Sequence, residues 1–209
     1  LEEDYFSLDE MIGSPVAGLI GGGFFRNLII NIDYKRRQIT LYDPATFEPP
    51  DDYISLPIKI KTNKPYIMAE ASLNDGSPVQ VDLLVDTGAG VPLLLHNNSH
   101  PSLHLPDHYI KGKLGIGLGG YLEGYIGRIQ KLSLGSIEFP GVLTSFQNVD
   151  ENWLQDKDKY RNGILGNNLL SRFDFWEFWG IWEWGSSQNP KAGLHHSWQQ
   201  ALQFEFVLV

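Results

Sequence analysis

The 209-residue sequence has no cysteine, which excludes disulfide staples, a thiolate nucleophile and Cys-ligated zinc or iron–sulfur centres. That absence assigns no compartment, because exported proteins also do without cysteine. No run of about 18 apolar residues occurs, so no transmembrane segment is expected. Basic residues are the minority, with 16 Lys and Arg against 25 Asp and Glu, a formal charge of −9 and a pI near 5.0. The Lys/Arg field that a phosphate backbone requires is missing, which argues against a nucleic-acid partner and suits a neutral or basic peptide better. Long stretches of 3.6-residue periodicity are scarce as well, and no cofactor motif is evident. Leu1 opens the sequence without Met or a basic-then-apolar leader, as in a processed chain or an excised piece.

What remains is a globular composition, 42% hydrophobic and 20% charged, organised mostly as strands. Residues 1–13 read as a short helix or loop, ended by Ser14-Pro15. The β-rich runs 28–34 and 38–42 flank Lys35-Arg36-Arg37 and predict a hairpin with a charged tip. Pro44, Pro49 and Pro50 among acids mark 43–52 as a linker. Beyond it, 56–61 alternates cleanly and 66–73 and 79–85 follow as strands, the last two joined through Asn74-Asp75-Gly76-Ser77. Further strands are predicted over 129–134 and 137–143 around Gly135-Ser136, with a short helix after Gly166.

Two segments share a form. Gly18-Leu19-Ile20-Gly21-Gly22-Gly23-Phe24-Phe25 and Gly163-Ile164-Leu165-Gly166-Asn167-Asn168-Leu169-Leu170 each run Gly, two aliphatics, Gly, two small residues and two large apolars. Their spacing of 145 positions suggests a duplicated unit.

Leu83-Leu84-Val85-Asp86-Thr87-Gly88-Ala89 places an acid at the end of an apolar strand, ahead of a Thr-Gly turn. A carboxylate at such a mouth is poorly hydrated and its pKa should rise unless donors surround it. The Thr87 hydroxyl and the amides freed by Gly88 are the candidate donors.

Here the sequence resembles the retropepsin-like aspartic peptidases, whose signature is an apolar strand entering Asp-Thr/Ser-Gly-Ala/Ser. A later Ile-Leu-Gly element packs beside that loop in the family, and Ile164-Leu165-Gly166 has this form, with Gly166 following Asp86 by 80 positions. The resemblance implies a mainly β, closed-barrel lobe of the retropepsin/pepsin kind, with a short helix after the Ile-Leu-Gly element. It implies Asp86 as the catalytic carboxylate, Thr87, Gly88 and Ala89 as the active-site loop, and Ile164, Leu165 and Gly166 as its support. The glycine-rich hairpin that closes over substrate in relatives corresponds to Gly115, Gly117, Gly119, Gly120 and Tyr121.

The implied activity is aspartic endopeptidase hydrolysis of a peptide or protein substrate by a water held between two aspartates, without cofactor or metal. The alternative from another class is a non-catalytic peptide-binding or dimerisation module. Only one Asp-Thr/Ser-Gly is present, so completing a pair requires a preceding lobe or a second copy of the chain in a homodimer. If residues 18–25 are the Ile-Leu-Gly counterpart of a preceding lobe, its Asp-Thr-Gly would fall some 60 positions before Leu1. Residues 1–48 are then expected to be the tail of that lobe, 52–175 a retropepsin-like lobe, and 176–209 a Trp-rich segment of uncertain structure. The tandem form resembles bacterial two-lobed aspartyl proteases, which implies an exported, periplasmic or cell-surface location.

Two other features are read more plainly. His96, His100, His104 and His108 recur every four residues, but Pro101 and Pro106 break any helix that would align them as metal ligands. Trp176, Trp179, Trp182 and Trp184 stand where the first copy of the repeat has its charged hairpin, and here the sequence departs from the family pattern.

Overall fold

The computed structural model describes residues 9–10, 13–25, 28–48, 54–74, 77–117, 120–156, 160–173, 175–178 and 204–208. The fold is mainly β, and the short helices Glu151–Gln155 and Asn167–Leu170 lie among its strands. Two compact units are present: one within Leu1–Phe24 and Ile60–Arg172, the other within Phe25–Lys59 and Phe173–Val209.

The first unit holds β4 (Lys64–Ser72), β5 (Pro78–Asp86), β6 (Leu93–His96), β7 (Tyr109–Gly117), β8 (Gly120–Arg128), β9 (Lys131–Leu134), β10 (Ile137–Pro140), β11 (Leu143–Gln147) and β12 (Gly163–Gly166). Pairing runs β10-β9-β4-β5-β12-β6-β11-β8-β7, with no strand pair joining the two ends of this path among the described residues. The four-residue β12 lies between β5, which it follows in parallel, and β6, which it meets antiparallel.

Alternation explains where the core sits. The middle of β4, from Ile67 to Ala71, and the start of β5 bury every second side chain, whereas Leu83, Leu84 and Val85 are buried in succession, as a strand does when both its faces are covered. Leu83, Leu93, Leu95 and Leu165 are wholly inaccessible. At about 1.5–3 kcal/mol for each fully buried side chain, the β5–β12–β6 triple is the stiff part of the unit.

The second unit is built from β1 (Ile29–Asp33), β2 (Gln38–Tyr42), β13 (Phe175–Phe178), β14 (Phe204–Leu208) and the first part of β3 (Ile54–Lys61). Its order is β2-β1-β13-β14-β3, antiparallel throughout. Register places Ile30 opposite Leu41 and Ile32 opposite Ile39, so one face of the β1–β2 hairpin is apolar.

Several expectations need correction. The predicted strand 137–143 is two strands, because Gly141 takes φ +62° and turns the chain between β10 and β11. Within the Trp-rich segment, Trp176 lies in β13, while Trp179, Trp182 and Trp184 lie outside the described residues. The two copies of the repeat also diverge. Gly163–Gly166 is a strand clamped between two others, but 18–21 forms none, and Leu19, Ile20 and Phe24 are 57%, 67% and 63% exposed. Among the described residues no strand pairs with the first copy.

Candidate functional site

Asp86 is the last residue of β5 and is half-buried. Its carboxylate Oδ1 accepts the Gly88 N–H at 2.9 Å, and its backbone carbonyl accepts the Ala89 N–H at 3.3 Å. These bonds fold the chain sharply after the strand and hold the carboxylate at the strand end. Of the two expected donors only the amide is used: Thr87 is exposed, and its hydroxyl makes no hydrogen bond to Asp86. The outward threonine is free to meet whatever lies across the loop.

The Ile-Leu-Gly element lies beside this loop. In the parallel pair, Ile164 stands opposite Leu84, Leu165 opposite Val85 and Gly166 opposite Asp86. Gly166 has to be glycine. A Cβ there would lie 2.1 Å from the Val91 carbonyl oxygen and 2.9 Å from that of Ala89. Gly163 is equally confined, 2.0 Å from the Leu94 carbonyl oxygen. The backbone then enters the helical turn Asn167–Leu170, whose first amide donates to the Ala89 carbonyl at 2.8 Å. Asn168 Nδ2 donates to the Gly90 carbonyl at 2.6 Å, and Gly166 N–H to that of Pro92 at 3.1 Å. Leu169 and Leu170 are buried and anchor the turn. Three bonds from one short segment thus fix the loop 88–92 behind Asp86. Asn167 and Asn168 were not singled out from sequence, although a polar pair opening a helix after a strand is a readable signal.

The glycine-rich candidate is a long hairpin. β7 and β8 pair from Tyr109↔Gly127 to Gly117↔Gly120, with a bulge between Lys113 and Gly115, where Gly115 takes φ +135°. Gly119 lies outside the described residues. Tyr121 is 70% exposed, and the Lys113 ammonium lies 4.9 Å from its ring centre.

A second polar group occupies the opposite end of the same strand triple. Asn162, just before β12, is 5% exposed; its Oδ1 accepts the Asp82 N–H at 2.8 Å and its Nδ2 donates to Ser99 Oγ at 3.0 Å. The Asp82 carboxylate pairs with the Lys61 ammonium. His96, at the end of β6, is buried with both ring nitrogens unpartnered, and the Trp153 ring stands edge-on at 4.6 Å. Burial, and secondarily the Arg161 charge, lower its pKa to about 4. His100, His104 and His108 are exposed in the segment that follows, so the four histidines share no common face.

No protein-family model matches the sequence, and no curated protein matches it. Among solved structures the chain is similar to the crystal structure of a retropepsin-like aspartic protease from Rickettsia conorii. The identity is 18%, over 59% of this chain and 87% of that one, with a TM-score of 0.42.

Proposed function

We propose that this chain carries one catalytic carboxylate of an aspartic endopeptidase, Asp86, and that it hydrolyses peptide bonds when a second aspartate is brought to it. The observation that carries the reading is the Asp86 loop itself: a half-buried carboxylate at a strand end, oriented by the Gly88 amide and backed by Gly166 and Asn167.

Two carboxylates about 3 Å apart cannot both ionise, so they share one proton. The ionised one takes a proton from the water between them while the water oxygen attacks the scissile carbonyl carbon. The protonated one donates to the carbonyl oxygen, giving a neutral gem-diol. Collapse of that diol passes a proton to the leaving amine and breaks the C–N bond, which restores the shared proton. Thr87, exposed beside the carboxylate, would brace the loop against its counterpart, and Gly117, Gly120 and Tyr121 near the tip of the β7–β8 hairpin would cover the substrate.

The second aspartate comes from a preceding lobe or from a second copy. The exposed Leu19, Ile20 and Phe24 favour the lobe, because the matching second copy, β12 and the helix Asn167–Leu170, buries Leu165, Leu169 and Leu170. Residues 1–48 would then complete that lobe. The alternative of a non-catalytic peptide-binding module rests on the single Asp-Thr-Gly in the sequence. Incubation of a mixed peptide library with the chain, and with a form extended at its N-terminus, across about pH 3 to 8 separates the readings. Endoproteolytic products with a bell-shaped pH dependence support the peptidase. Binding without cleavage by either form supports the module.

A further inference from the structure

β2 is the last strand of its sheet, pairing with β1 and with no other strand among the described residues. All five of its residues are exposed. The strand, Gln38-Ile39-Thr40-Leu41-Tyr42, has no charge, no proline and no break in its register with β1, so it lacks the devices that keep a free edge from pairing. Apolar side chains gather at this edge: Ile39 is 62% and Leu41 41% exposed, and they stand opposite Ile32 and Ile30 on the same face. The flanks differ in charge. Lys35, Arg36 and Arg37 precede the strand, and Asp43 and Glu48 follow it, all exposed.

We propose that β2 is a homotypic edge, through which two copies of the chain pair antiparallel about a two-fold axis at Thr40. Centred there, Ile39 of each copy lies opposite Leu41 of the other, and the apolar face of one hairpin continues into the next. Arg37 of each copy meets Asp43 of the other, once at either end of the paired strands. Arg36 is already engaged by Asp33 at 3.3 Å, and Arg37 is the exposed cation next to the strand. A parallel pairing would set the basic tips side by side, and charge selects against it. The interface lies wholly within the second unit and does not depend on what Asp86 does.

The absence of cysteine makes the register directly testable. In the proposed dimer the two Thr40 Cα atoms are about 5 Å apart, within the range a disulfide spans, whereas Gln38 lies opposite Tyr42. Thr40→Cys should form a covalent dimer under mild oxidation, and Gln38→Cys should lag far behind it. Equal rates for the two would overturn the pairing. Light scattering of the cysteine-free chain should show a dimer that dissociates on dilution. Ile39→Lys, at a site 62% exposed, should weaken it at least about tenfold. Arg37→Asp and Asp43→Arg should each weaken it, and the double variant should recover it. A chain that stays monomeric up to about 200 μM, or a dimer indifferent to all of these changes, overturns the proposal and leaves the edge to a different partner.

Discussion

Gly166 stands opposite Asp86 where β12 runs parallel to β5, and a single added carbon at Gly166 would collide with the carbonyls of Val91 and Ala89. The loop carrying the carboxylate and the element behind it therefore share one tight contact. Gly166→Ala should destabilise the chain by about 3 kcal/mol, since neither neighbour is a flexible side chain. Gly90→Ala, with nothing within 4 Å of the new carbon, should stay within about 0.5 kcal/mol of wild type. Urea unfolding of the two variants checks the contrast, and equal losses would refute it.

His96 makes stability depend on pH with a definite sign. In the folded chain its pKa is lowered to about 4 from the ordinary 6.5, so between these values the unfolded state binds more protons. Its contribution is complete above about pH 6.5 and falls as pH drops toward 4, by about 3 kcal/mol in all. His96→Phe should remove that part of the acid sensitivity. The measurement is the difference in unfolding free energy between the two proteins near pH 8 and near pH 4; a difference that does not change with pH would rule the effect out.

Asn162 ties β5 to the turn after β6 at the end of the triple remote from Asp86. Asn162→Ala leaves the Asp82 N–H, 2.8 Å from its acceptor in the native chain, without that bond in a part-buried site. A loss of about 2 kcal/mol is expected by chemical denaturation. A change under about 0.5 kcal/mol would mean that water replaces the side chain at no cost.

Tyr121 separates substrate contact from folding. At 70% exposure, its replacement by Ala should leave stability within about 0.5 kcal/mol and lower kcat/KM about tenfold if the hairpin covers the substrate. Unchanged turnover would remove Tyr121 from the candidate flap.

Much of this was legible from sequence because it rests on local chemistry. The β-rich runs 66–73 and 79–85 showed β4 and β5, whereas the steric confinement of Gly163 and Gly166 appears only once the carbonyls of Leu94, Val91 and Ala89 are located. β6 was missed for an equally physical reason. Leu93–His96 is four residues long, buried at every position and preceded by Pro92, so it shows no period to read. The helix Glu151–Gln155 carried its own sign, Asp150, whose carboxylate caps the Trp153 N–H at 2.7 Å. The idle Thr87 hydroxyl and the burial of His96 with both ring nitrogens unpartnered depend on side-chain direction and on contacts distant in sequence, which motif spacing does not encode.

The most direct test of the central claim compares kcat/KM of the wild-type protein and its Asp86→Asn variant on one cleavable peptide, both confirmed as folded. Asparagine keeps an acceptor for the Gly88 amide but can neither share nor relay the proton. The account expects cleavage to fall by about 10³-fold or more with peptide binding retained. Cleavage at the wild-type rate by Asp86→Asn would contradict it.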